Sequence, residues 1–231
     1  MTQPVHGDDL ARHLTRLPQR QVLAEDAYEA VKALIMDHVI EPGTRLNIDA
    51  LARGLQISQT PIREALARLE ADGLVTKTAL RGYSATALLS RAELQDLFGL
   101  RLLIEPWAAS MAAERVDDAA IAALEAEMAS LTEVPEGSSY EVYRAIAAHD
   151  NRFHDLILAI AGNEMVRQAF ERTHCHLHLF RLFYAGGLGG HALQEHRSIV
   201  NAVSRRDAAA SAAAMKAHLE ASSVRLLAAY S

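Results

Sequence analysis

At 231 residues, half of them apolar and 23% charged, the chain has globular composition and enough length to bury one large core or two small ones, which excludes a disordered polymer. A net charge of −6 argues against unspecific coating of nucleic acid, and the single cysteine, Cys175, excludes an internal disulfide. No apolar run approaches the roughly 18–20 residues that span a bilayer, and the polar first residues lack a secretory core, so the expected location is cytoplasmic with no membrane partner.

Residues 1–20 have no sustained apolar period and read as a flexible tail. Within 22–40, Ala27, Val31, Leu34, Ile35 and His38 fall at helical spacing, and Glu-Pro-Gly at 41–43 stops that helix. A short helix in "IDALARGL" leads through a break into "TPIREALARLEADG". Pro61 suits the first helical position, Thr60 can cap just before it, and Gly73 can close the far end in a left-handed conformation. Ile62, Leu66 and Leu69 form the inward stripe. "LVTKTALRGYSATAL" then reads as two short strands joined by a turn near Leu80–Gly82.

Three helices followed by a hairpin make a winged helix-turn-helix over 21–88, whose helix 61–72 would enter a major groove by its amino end. Within 51–82 there are five basic residues against three acidic ones, a modest local footprint for phosphate. Ser58, Gln59 and Thr60 lead into the helix and can bond to phosphates or base edges. Arg63 carries the forked guanidinium suited to guanine or phosphate. Lys77 and Arg81, with Gly82 at the wing turn, could hold the DNA backbone or reach the minor groove. The competing reading of Arg63, Glu64 and Arg68 is a solvated face with a Glu64–Arg68 pair, worth only tenths of a kcal/mol.

Beyond residue 89 the segments 90–115, 117–132, 138–161, 163–184, 190–205 and 207–229 are rich in Ala and Leu and separated by helix breakers, which predicts six helices packed as a bundle over 89–231. The fold class is therefore mainly α, a winged helix-turn-helix followed by an all-helical bundle. No Gly-rich phosphate loop with its lysine is present. In "AAHDNRFHDLILA", Asp150 and His154 lie four apart on one helical face. That spacing alone is open between half a metal site, an acid/base pair and a plain salt bridge.

The segment "IDALARGLQISQTPIREALARLEADGLVTKTALRGYSA" resembles the winged helix of the GntR family of bacterial transcription regulators, over roughly 20–88. The family pattern has Leu-Ala, Ser-Arg-Thr-Pro-Val-Arg-Glu-Ala-Leu, Gly-Leu-Val and an Arg-Gly wing. Position 59 departs from it, with Gln in place of the usual Arg, and Gln favours adenine where Arg favours guanine. "RLLIEPWAASMAA", "HDNRFHDLILAIAGN" and "EHRSIVNAVSRRDAAASAAAMKAHLE" are similar to the FadR-type (FCD) C-terminal domain of one GntR branch. Carried over position by position, that resemblance implies a divalent-metal site at Asp150, His154, His196 and His218. It also implies a small carboxylate effector held near the metal. Arg101 is the leading candidate to pair with that carboxylate; a salt bridge to Glu105 is its alternative role. Arg152, Asn163 and Arg181 are further pocket candidates.

Helix geometry supports the ligand set independently. If the last two helices turn near Asp207, His196 and His218 each lie 11 residues from the turn, about 16 Å along either arm and level with each other. A carboxylate with imidazoles suits zinc, nickel or manganese with positions open to water or ligand. In "THCHLHLF", His174 and His178 share a face, and one of them could border the main site, while His176 points elsewhere. His149 points about 100° away from Asp150 and reads as structural. The function expected is that of a homodimeric regulator, more a repressor than an activator, reading an inverted-repeat operator in double-stranded DNA. The alternatives are a sensor of the metal itself and, at a distance, a metal-dependent enzyme.

Overall fold

The computed structural model describes residues 18–131, 137, 139–182 and 189–230. Most of the expected tail lies outside these residues, but its end, from Pro18, already belongs to a 19-residue helix, α1 (Pro18–Met36). The expected continuation of α1 to residue 40 does not occur. The helix stops at Met36, and His38 sits in the left-handed region at φ 55°, which takes it off the helical stripe. Strand β1 (Arg45–Leu46), α2 (Ile48–Gly54), α3 (Gln59–Ala71), β2 (Val75–Thr78) and β3 (Gly82–Ala85) complete the first unit.

Ala27, Tyr28, Val31 and Ile35 of α1 are buried, as are Ile62, Ala65, Leu66 and Leu69 of α3. These apolar stripes meet to form the core. Arg68 has a partner beyond its own helix. It reaches across to Glu25 of α1 at 2.6 Å and covers the Tyr28 ring at 4.2 Å. Both partners of that ion pair are half-exposed, so it contributes little energy. Helix α3 begins one residue before Thr60, with Ser58 as its cap. Thr60 is therefore not the cap, and Pro61 sits inside the first turn, where its missing N–H still removes only an unpaired donor.

Gly73 ends the α3 segment at φ 72°, as expected. The wing has a third strand that sequence periodicity could not reveal, because β1 is only two residues long. The antiparallel order is β1-β3-β2, with Leu46 opposite Tyr83 and Val75 opposite Ala85. The β2–β3 turn places Leu80 and Gly82 at positive φ, 64° and 82°.

The chain divides into two compact units, Met1–Thr86 and Ala87–Ser231. In the second, α4 (Arg91–Arg115) starts with a reciprocal Ser90–Glu93 capping box. It is followed by α5 (Asp118–Ala129), α6 (Tyr140–Ala161), α7 (Glu164–Glu171), α8 (Cys175–Leu182), α9 (Gly189–Ser204), α10 (Ala208–Leu227) and a short 3-10 turn (Ala228–Tyr230). The single helix expected over 163–184 is two, α7 and α8, separated where His174 takes φ 47°. No helix among the described residues is long and apolar enough to cross a membrane.

Ala108, Ala109 and Ala112 of α4 are fully buried in the same core cluster as Met215 and Leu219 of α10. Small side chains allow those two helices to approach closely. Phe153 and Ile157 of α6 and Ile199, Val200 and Val203 of α9 complete the core. Asp207 caps α10 through Ala210 N, so the α9–α10 hairpin turns where the sequence places it.

Candidate metal centre and DNA-facing surface

The α6 register stacks Asp150 one turn before His154, and the hairpin sets His196 of α9 opposite His218 of α10. Each of the four offers one ligand atom, and those atoms all lie within 4.8 Å of one another. Asp150 Oδ1 is 3.8 Å from His154 Nε2 and 3.5 Å from His196 Nε2. The three imidazoles are buried, with ring centroids 5.3 Å (His154–His196), 5.2 Å (His154–His218) and 4.8 Å (His196–His218) apart.

Each ring is held from behind through Nδ1. His154 Nδ1 contacts Glu105 Oε2, His218 Nδ1 lies 2.7 Å from Glu195 Oε2, and His196 Nδ1 lies 3.3 Å from His149 Nε2. Glu105 is shared with Arg101, Glu195 with Arg225, and His149 rests on Glu127 at 2.9 Å. A tautomer with the proton on Nδ1 satisfies all three outer contacts and leaves the Nε2 lone pairs converging on Asp150. Phe153 stacks on the His196 ring at 4.0 Å and 13°, fixing its plane.

The charges suit a cation. Burial holds His154 down at about 4 and His196 well below its usual range, so both rings stay neutral. Burial works the other way on Asp150, but the His176 hydrogen bond and the neighbouring imidazoles hold its carboxyl well below the carboxylate range. His196 Nε2 is buried and has no hydrogen-bond partner among the described residues. An orphaned buried nitrogen costs about 1–3 kcal/mol, and a bound cation would satisfy it. The donor set fits a first-row divalent ion such as zinc, nickel or manganese.

The residues predicted around the site divide. Arg101 is buried beside it, bonded to Glu105 at 2.5 Å, with one terminal nitrogen 3.5 Å from His154 Nε2. The salt bridge to Glu105, its alternative role, is formed. Arg152 is half-exposed and spends its guanidinium on Glu127. Asn163 is an exposed cap of α7, accepting from Val166 N. Arg181 is fully buried on α8. The histidine of 173–180 that reaches the centre is neither His174 nor His178 but His176, whose Nδ1 lies 2.7 Å from Asp150 Oδ2. The α7–α8 break resets the helical phase on which the shared-face expectation rested.

Sequence reasoning also missed Glu105, His149 and Glu195 as outer partners. Glu195 adjoins His196 in sequence, and helical neighbours diverge by about 100°. That same divergence aims it across the hairpin at His218, a signal available from the register alone.

On the first unit, Ser58, Gln59, Thr60 and Arg63 are exposed together at the amino end of α3. Gln59 Nε2 donates to Asp49 Oδ1 at 2.5 Å, and a terminal nitrogen of Arg63 donates to Gln59 Oε1 at 3.3 Å. On the wing, Lys77 lies over the Tyr83 ring at 5.4 Å, and Arg81 is exposed between Leu80 and Gly82. The exposed cations at the helix end and on the wing have the layout of a phosphate- and base-contacting surface.

Comparison with known proteins agrees with both halves. The FCD domain family model matches residues 96–221, and the model for bacterial regulatory proteins of the gntR family matches residues 23–83. The chain is 25% identical over 193 residues to the HTH-type transcriptional regulator YdhC of Bacillus subtilis (strain 168), covering 83% of this chain and 85% of that one. It is 28% identical over 202 residues to the HTH-type transcriptional repressor GlaR of Escherichia coli (strain K12), covering 84% and 91%. The solved structure of E. coli McbR/YncC superposes with a TM-score of 0.65 at 20% identity, over 90% of this chain and 99% of that chain, which is a likeness of fold.

Proposed function

The chain belongs to the FCD-domain branch of the gntR family of bacterial regulatory proteins, and from that premise we propose a metabolite-responsive repressor whose DNA affinity is set by a small carboxylate bound beside a divalent metal. The observation that carries the reading is the convergence of Asp150, His154, His196 and His218, each imidazole gripped from outside. Such a cage would hold a metal through these four residues, and a bound metal would supply a Lewis-acidic position for a carboxylate oxygen.

Arg101 supplies the organic-acid selectivity. Its guanidinium lies at the edge of His154 and retains N–H groups beyond those given to Glu105. Arg181 is the second cation of the proposed pocket; Arg152 holds Glu127 and Asn163 caps α7, and neither is given a part in it. Ligand binding shifts the regulator only by its differential affinity for DNA-competent and DNA-incompetent arrangements.

Leu100, Leu103 and Trp107 of α4 are exposed at i, i+3, i+7 spacing, an apolar stripe that suits a second copy of the chain. A homodimer would read two half-sites of an inverted repeat. The protein works where its operator is, in the cytoplasm. We assign it no enzymatic activity: Glu105 and Glu195, the carboxylates flanking the imidazoles, are each committed to an arginine and a histidine.

The test is operator binding by the metal-loaded chain, titrated with a panel of small organic acids. Release by one acid, lost in Arg101→Ala with metal content unchanged, supports the reading. DNA affinity that follows metal concentration with no organic acid present would instead favour the metal as the signal.

A further inference from the structure

Gln59 stands first in α3, where its side chain faces the surface that would meet a major groove. A glutamine reads adenine by using both faces of its amide, one N–H and the oxygen. Here each amide atom already has one partner inside the protein. Nε2 donates to Asp49 Oδ1 of α2 at 2.5 Å, and Oε1 accepts from Arg63, one helical turn along, at 3.3 Å. An adenine would have to share the amide with both partners, through the second N–H and the second oxygen lone pair.

Resting on the DNA-binding reading above, we propose that Gln59 is a positioning residue: an Asp49–Gln59–Arg63 relay aims the Arg63 guanidinium at a guanine, and Arg63 sets the half-site's main base preference. A guanidinium that gives one N–H to Gln59 keeps a forked pair for guanine O6 and N7. A long arginine on a solvated helix face otherwise samples many rotamers, and a hydrogen bond from the neighbouring turn narrows that sampling before DNA arrives. The adenine preference expected from Gln at position 59 is thereby replaced by a guanine preference one turn further along the helix.

The experiment selects binding sites for the full chain from a random duplex library at low salt, then measures affinity for every single-base replacement in the selected half-site. Wild type is expected to prefer one guanine by roughly tenfold over adenine. Gln59→Ala and Asp49→Ala should each flatten that preference without transferring it to another base, and the double variant should be no worse than either single one. Asp49→Asn keeps an acceptor oxygen and should restore it.

An adenine preference that vanishes in Gln59→Ala but survives Asp49→Ala would overturn the relay, as would single-variant losses that add in full. Failure of wild type to enrich any duplex would overturn the DNA-binding reading itself, a result distinguishable from both.

Discussion

His196 and His218, one on each arm of the α9–α10 hairpin, hold their rings 4.8 Å apart, and their outward nitrogens rest on different partners, His149 and Glu195. The pair is thus fixed from outside and open toward Asp150. Metal should raise the melting temperature accordingly. A metal at about 100 times its Kd stabilises by about 2.7 kcal/mol, and chelation should reverse the gain. His196→Ala should lose both the bound metal, read by elemental analysis, and the response to chelator.

Removing a clamp should cost affinity without removing a ligand. Glu195→Gln weakens the grip on His218 Nδ1 and should lower metal affinity by about 10–100-fold while leaving stoichiometry at one per chain. Competitive titration against a chromogenic chelator measures this. Unchanged affinity would show that the outer contact is incidental.

Stability of the metal-free protein should peak near pH 6.5. Burial holds His154 at about 4 in the folded state, below the usual value of about 6.5. The unfolded chain therefore binds more protons between those values, and stability falls as pH drops through that window, by on the order of 3 kcal/mol. His176 runs the other way. Burial opposes its charge, yet the Cys175 sulfur and the Asp150 carboxylate hold it up at about 10. Its contribution is complete below about 6.5 and is lost as pH rises toward 10. Urea midpoints across pH 4–10 check both limbs.

The cations proposed to face DNA should separate by role. Arg63→Ala should cost about 1–3 kcal/mol on the selected operator and relax its base preference. Arg81→Ala on the wing should weaken all sequences alike and flatten the salt dependence. Equilibrium binding at several salt concentrations distinguishes the two.

Leu103 is 78% exposed in the middle of the α4 stripe. Leu103→Glu would place a charge at the centre of the proposed dimer contact and should yield monomers by sedimentation at micromolar concentration. The helix itself should stay folded, since the position is solvent-facing in the single chain.

The convergence of the four donors, which the family resemblance implies, also had support in two periodic constraints. The four-residue step fixes Asp150 against His154, and the Asp207 turn fixes His196 against His218. The outer shell was harder to see because it depends on which faces meet. Glu105 contacts His154, and His176 contacts Asp150, across packed helices that a single chain's periodicity does not pair. The α7–α8 break at His174 was illegible for a related reason: no glycine or proline marks a positive φ there. The pairing of Arg152 with Glu127 likewise joins two helices that sequence periodicity does not connect.

His218 sits on α10, the last long helix described, whereas Asp150 and His154 come from the middle of the bundle. During synthesis the earlier donors emerge from the ribosome well before the final imidazole, so the nascent chain carries only an incomplete chelate. An ion bound by all four residues would therefore require α10 to have docked. A chain lacking α10 would keep Asp150, His154 and His196 but lose the fourth donor.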